Sequence, residues 1–346
     1  MVSTKKRRVW DPQEGRELSE FSTIGVAGAG AWGVALANAA AGAGRRVALW
    51  GRAASQMRSL EETRRDARLP GVALARSIVA SGEMHTLEAC DVVLVAVPAQ
   101  STRAVAEQLA ATLGAARPLV ACAKGIERHT DRFMTEVLAE AAPGWPPAIL
   151  SGPSFAVDVA AGLPTAVTLA SGDEALSRAL CAALHGPNLR LYHSIDVRGV
   201  EIGGAAKNVL AIACGVAAGL GLGASASAAL IARGFAELRR FGEAFGANPN
   251  TLMGLSGLGD LVLTCSSPQS RNFAFGFALG QGRDLGAASG GKLVEGAFTA
   301  GALMQMARAR GVEMPICGAV ETLLEGALDA RSAVGALLAR PPRGEG

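Results

Sequence analysis

Six short apolar runs, STIGVAGAG, RRVALWG, DVVLVAVP, RPLVACAKG, PAILSG and TAVTLAS, recur from about residue 22 onward, separated by alanine-rich stretches of helical character. Several are apolar on both faces instead of alternating, so they need cover on both sides, which a parallel sheet with crossover helices provides. After roughly residue 198 this pattern stops. GVEIGGAAKNVLAIACG, AALIARGFAELRRFGEAFG, GALMQMARARG and AVETLLEGAL then carry a 3.6-residue periodicity between glycine breaks. The expectation is an α/β domain over residues 22–198, an all-α C-terminal domain over 199–340, and a flexible tail at 1–21. A length of 346 residues with 50% apolar content suffices for two cores.

Charge and cysteine usage narrow the class. A net charge of +3 with 4% aromatic residues does not suit a nucleic-acid surface, which needs clustered basic and stacking side chains. Cysteines 90, 122, 181, 214, 265 and 317 form no CxxC pair and sit mostly among Ala, Leu and Val. They read as reduced, buried thiols and as no metal site. Residues 209–232 carry no charge, but their Ala, Gly and Ser content makes them poor at inserting into a membrane. Glycines 215, 219, 221 and 223 read as a break, so a buried helix pair is expected there in place of an integral span.

The first apolar run leads into GAGAWG, with Gly28, Gly30 and Gly33 in a G-x-G-x-x-G spacing that opens the first strand–helix unit. The first glycine permits the tight turn, the second lets backbone approach a pyrophosphate, and the third permits close helix packing. The fold class is thus sharpened to a Rossmann-like, dinucleotide-binding sheet. At the end of the second strand, where a carboxylate would bond a ribose 2′-hydroxyl, the chain has Arg52. A guanidinium can pair with a 2′-phosphate, which favours NADP over NAD.

GGAAKNVLAIAC places Lys207 in an apolar run. Lysine occurs only at 5, 6, 124, 207 and 292, the rest of the 33 basic residues being arginine. An internal lysine in such a chain is a candidate for proton transfer, because an ammonium loses its proton when desolvated and a guanidinium does not. From position alone, Lys207 reads equally as a side chain snorkelling to water from a helix start. CAKGIE adds Lys124 just past a strand, at the edge where open α/β sheets bind ligands. SGPSFAVDVAAGLPT offers small residues and backbone amides, GLSGLGDLVLTCSSPQSRNFAFG carries Asp260, Thr264, Arg271 and Asn272, and KLVEGAFTA adds Lys292 and Glu295.

In this order, GAGAWG, CAKGIE, SGPSFA, GGAAKNV, GLGDLVLTC, QSRN and VEG resemble the bacterial NAD(P)-dependent glycerol-3-phosphate dehydrogenase family over about residues 22–335. The resemblance implies reversible reduction of dihydroxyacetone phosphate to sn-glycerol 3-phosphate for glycerophospholipid synthesis, with NADP or NAD as cofactor; the cysteine usage fits a cytoplasmic protein, and a homodimer is allowed for. It implies Lys207 as the proton-transferring lysine and Lys124 as a second active-site lysine. Gly152, Ser154, Lys124, Lys207, Asn208, Asp260, Thr264, Ser270, Arg271 and Asn272 are implied around the substrate. Gly28, Gly30, Ala31, Trp32, Gly33, Arg52, Lys124, Ala156, Arg271, Leu293 and Glu295 are implied around the cofactor. The chain departs from the family pattern at Asp158, one methylene shorter than the usual glutamate, and at GLGASAS, where Ser225 and Ser227 replace an amide and a cation expected near the interdomain face. Two rival readings are a β-hydroxyacid-type dehydrogenase and a non-catalytic dinucleotide-binding regulator.

Overall fold

The computed structural model describes residues 21–291, 293–341 and 344. The tail assignment for residues 1–20, and Lys292, lie outside the described residues. Phe21, placed at the tail's end by the sequence, is instead buried against the sheet.

Eight strands form one sheet: β1 (Thr23–Ala27), β2 (Arg46–Trp50), β3 (Ile78–Ser81), β4 (Val92–Val95), β5 (Leu119–Ala121), β6 (Pro147–Ser151), β7 (Thr165–Ala170) and β8 (Leu189–Ser194). Their order is β3-β2-β1-β4-β5-β6-β7-β8. The six expected runs are all strands; β3 and β8 are additional. Successive residues feed opposite faces, Ile24, Val26, Leu49 and Leu94 into one core and Ala27, Trp50, Val93 and Val95 into the other, as a sheet covered on both sides requires.

The sheet departs from the expected all-parallel pattern at one place: β6 and β7 pair antiparallel, while the other neighbours are parallel. A parallel return needs a crossover that carries the chain back along the sheet. The link from β6 to β7 contains only the five-residue helix Ala156–Ala160, which stays at the C-terminal edge against the helix Ala31–Gly42. The chain therefore enters β7 from that edge and runs the other way.

Among the described residues no strand follows Ser194. The helices there are Val197–Gly219, Gly223–Ala244, Pro249–Met253, Asp260–Ser266, Arg271–Gly280, Leu285–Ser289, Glu295–Ala309, Pro315–Leu324 and Ala330–Leu338. Val197–Gly219 is the axis of this part, packing against Gly223–Ala244, Asp260–Ser266, Arg271–Gly280 and Glu295–Ala309. It is long and apolar enough to cross a membrane, but 83% of its apolar window is buried within the protein.

The glycine break inferred at 215–223 lies only at its far end. Gly221 and Gly223 have positive φ and turn the chain, whereas Gly215 and Gly219 are helical and serve close packing. A Cβ on Gly215 or Gly219 would collide with the carbonyl of Phe273 or Phe277, and one on Gly276 or Gly280 with that of Ile212 or Val216. The axial helix and Arg271–Gly280 thus meet backbone to backbone along a reciprocal glycine seam.

Candidate active site

The glycine turn has the geometry that its spacing calls for. Gly28 has φ +120°, and its N–H donates to the Trp50 carbonyl at 2.8 Å. A Cβ on Gly33 would strike the Gly28 carbonyl, while one on Gly30 would meet nothing within 4 Å. Gly30 therefore faces open space at the N-terminus of Ala31–Gly42, which has no side-chain cap. The missing Cβ and the free first-turn N–H groups together form a cradle that fits a pyrophosphate. Ala31, Trp32 and Ala156 lie half-buried beside it, against the same core. Arg52 is exposed just past β2 and lines a separate cavity of about 490 Å³.

At the same edge of the sheet, Lys124 follows β5. Its Nζ donates to the Gly152 carbonyl at 2.7 Å and to Asp260 Oδ2 at 2.8 Å. Gly152 has φ +142°, and a Cβ there would press on Val167, so only glycine presents this carbonyl. Ser154 Oγ donates to the same oxygen at 3.0 Å.

Lys207 is buried near the middle of its 23-residue helix, not at the helix start that the sequence suggested. Its Nζ donates to Asp260 Oδ1 at 2.6 Å and to Thr264 Oγ1 at 2.8 Å, while Thr264 donates onward to the Asp260 carbonyl at 2.6 Å. Snorkelling to water is thereby excluded. Asp260, 1% exposed, bridges the two lysines with one carboxylate oxygen each. A turn of π-helix, Leu255–Gly259, delivers it, with Gly203 of the axial helix pressed against the Ser256 carbonyl.

Burial lowers the Lys207 ammonium from its ordinary value to about 8; the nearby Asp260 charge opposes this and the Lys124 charge assists it. Desolvation outweighs ion pairing here because Lys207 is almost wholly buried within the helical core.

An asparagine relay joins three elements to this centre. Asn208 Nδ2 donates to the Lys124 carbonyl at 2.9 Å, Asn272 Nδ2 to Asn208 Oδ1 at 2.9 Å, and the Gly296 N–H to Asn272 Oδ1 at 2.9 Å. Both ends of the Asn272 amide are therefore engaged by protein. Ser270 caps Arg271–Gly280 by accepting from the Phe273 N–H at 3.2 Å. Arg271, exposed at that helix's first position, lies close enough to Glu295 for its charge to act on it. Burial raises the Glu295 carboxyl above its ordinary value, against the pull of Arg271, Lys207 and Lys124 and a hydrogen bond from the Ala99 backbone. Leu293 is half-buried in the segment leading to Glu295.

Asp158 is half-buried in the first turn of Ala156–Ala160. Ser225 is exposed and Ser227 half-buried at the start of Gly223–Ala244, where Ser227 Oγ donates to the Gly223 carbonyl at 3.2 Å. That helix packs on other helices of the C-terminal part. Sequence reasoning missed Gly204: a Cβ there would lie 2.7 Å from Ser151 Oγ and 3.3 Å from Lys124 Cγ, so its absence makes room for the Lys124 stem. The doubled glycine in GGAAKN was the available signal.

Residues 23–177 match the family model described as NAD-dependent glycerol-3-phosphate dehydrogenase N-terminus, and residues 196–335 match that of its C-terminus. A glycerol-3-phosphate dehydrogenase (NAD(P)+) of Azorhizobium caulinodans is 61% identical over 329 residues, covering 95% of this chain and 100% of the relative. One from Methylobacterium radiotolerans is 58% identical over 330 residues, covering 95% and 99%. The crystal structure of the glycerol-3-phosphate dehydrogenase from Coxiella burnetii superposes with a TM-score of 0.88 at 38% identity, covering 92% of this chain and 99% of that one. With both halves matched in order and nearly the whole length aligned, this chain belongs to the NAD-dependent glycerol-3-phosphate dehydrogenase family.

Proposed function

We propose that the chain reversibly reduces dihydroxyacetone phosphate to sn-glycerol 3-phosphate with NAD(P)H, in the cytoplasm, as a homodimer, supplying the backbone of glycerophospholipids. Residues 22–198 form the dinucleotide-binding unit in this reading and 199–340 the substrate unit. The observation that carries it is the buried Lys207 amine held by Asp260 and Thr264 at the sheet edge that also bears the phosphate-binding turn. The experiment is direct: purified protein is mixed with NADPH and dihydroxyacetone phosphate, and nicotinamide absorbance is followed. Oxidation only with hydroxyacid-type ketones, or binding without turnover, would overturn the proposal.

Gly28, Gly30 and Gly33 hold the pyrophosphate, with Ala31, Trp32, Ala156, Leu293 and Glu295 around the dinucleotide and Arg52 toward a ribose 2′-phosphate, so that NADP is preferred. When bound, the nicotinamide supplies the hydride. An ammonium has three donors. Lys207 spends two on Asp260 and Thr264 and aims the third at the substrate carbonyl oxygen, where it stabilises the developing alkoxide and gives up a proton. Asp260 fixes that amine, and Lys124 lies across the carboxylate, where its charge favours proton release.

The substrate phosphate is placed at the N-terminus of Arg271–Gly280, against the Arg271 guanidinium and the first backbone N–H groups, including that of Asn272. Arg271→Ala should raise KM for dihydroxyacetone phosphate by about tenfold or more, the worth of a charge-assisted hydrogen-bond pair, with a smaller change in kcat. Steady-state kinetics at fixed NADPH measures the split, and an unchanged KM would remove Arg271 from phosphate binding.

The pH dependence should have opposite signs in the two directions. Ketone reduction needs the Lys207 ammonium, so its kcat/KM falls as pH rises through about 8; alcohol oxidation needs the neutral amine and rises through the same value. Profiles recorded in both directions test this. Parallel profiles would contradict a single group serving as acid one way and base the other.

A further inference from the structure

The cavity that Arg52 lines also has a histidine, His85, in its wall. It is lined by Trp50, Arg52, Glu83, His85, Gln108 and Thr112, together with Gly82 and Met84. In the sheet register Trp50 pairs with Ser81, so the chain leaves neighbouring strands at one level and enters the cavity from two sides. Arg52 stands two residues past that pair on β2. His85 stands four past it on β3, in the 3-10 turn Met84–Leu87.

This turn is firmly held. Trp50 Nε1 donates to the Gly82 carbonyl at 3.1 Å, and Met84 and Leu87 are buried on either side of His85. The imidazole is therefore presented to the cavity by anchored neighbours, and Arg52 faces the same space from the adjacent strand. Gln108 and Thr112 are neutral donors from the helix Thr102–Leu113. Among the described residues Glu83 is the one carboxylate in the wall, and it suits a ribose hydroxyl better than an anion.

We propose that His85 is a specificity-determining residue for the dinucleotide: with Arg52 it clamps the 2′-phosphate of NADP, each base approaching from its own strand end. This rests on the reading of Arg52 as a 2′-phosphate contact and goes beyond it by naming the second contact. A lone arginine on an exposed loop gives modest discrimination, whereas a second donor on the same dianion, held by an anchored turn, gives more.

Titration calorimetry with adenosine 2′,5′-bisphosphate and with adenosine 5′-monophosphate isolates this contact without relying on turnover. His85→Gln should weaken the bisphosphate by about tenfold, the worth of one charge-assisted hydrogen bond, and leave the monophosphate within about twofold. His85→Lys should retain most bisphosphate affinity. If His85→Gln binds both nucleotides as the parent does while Arg52→Ala loses bisphosphate affinity, the role of His85 is overturned and the preference for NADP stands. If Arg52→Ala also leaves the bisphosphate unchanged, the NADP reading itself falls and this inference falls with it. Unchanged binding of the monophosphate in each variant shows that the cavity is still folded.

Discussion

Lys207→Met is expected to lower kcat by about a thousandfold, within the range general acid–base groups supply, while leaving the dissociation constant for NADPH nearly unchanged. Methionine matches the length of the lysine stem and keeps the apolar packing of the axial helix. Asp260 retains its second partner, Lys124, so its carboxylate is not left unpaired in the core. The loss is therefore chemical rather than structural. Lys207→Arg should fail to restore turnover, because a guanidinium stays charged and cannot release a proton. Single-turnover kinetics with bound NADPH separates this from a slow product step; turnover at the parent rate in the methionine variant would end the role assigned to Lys207.

Gly276→Ala carries the largest expected effect on stability. Its single methyl would enter the Ile212 carbonyl, and the axial helix could withdraw only by giving up the close packing at Gly215, Gly219 and Gly280 along the same seam. Overpacking of this kind costs about 3 kcal/mol, which for a chain of this length corresponds to a fall in thermal midpoint of roughly 4 °C. The displaced helix begins with Arg271, so KM for the phosphate substrate should rise as well. Gly301→Ala is the control. It lies in the exposed interior of Glu295–Ala309 with open space around it, and should be neutral or stabilising by about 0.5–1 kcal/mol. Calorimetry of both variants checks the contrast, and equal midpoints would refute close backbone packing.

What could be read in advance follows from the reach of local patterns. Strands buried on both faces announce themselves as unbroken apolar runs, and β1, β2 and β4 to β7 did so. β8 alternates Leu189, Leu191 and their exposed neighbours Arg190 and Tyr192 at the sheet edge, and β3 has only four residues, two of them buried. Neither resembles the buried type. The reversal of β7 is set by where the preceding link runs, which its own residues do not encode. Gly215 and Gly219 were mistaken for a break because the same residue type serves turns and close helix contacts.

Lys207, Lys124 and Asp260 could each be singled out by type and surroundings. That one carboxylate serves both amines depends on pairings 136 and 53 residues apart, which periodicity cannot register. The asparagine relay was hidden for the same reason. Asn208 and Asn272 looked like ligand contacts, and their amides turn out to be tied to each other.

The glycine seam acts as a ruler. Lys207 and Asn208 stand on one of its helices and Arg271 and Asn272 on the other, and the two are locked by carbonyls against glycines. The spacing between the helices that carry the proposed proton donor and the proposed anion anchor is thereby set by main-chain contacts. A substrate whose oxygen and phosphate are separated by one carbon more or fewer would have to be met by the Lys207 and Arg271 side chains alone, because the two helices that carry them cannot move closer together.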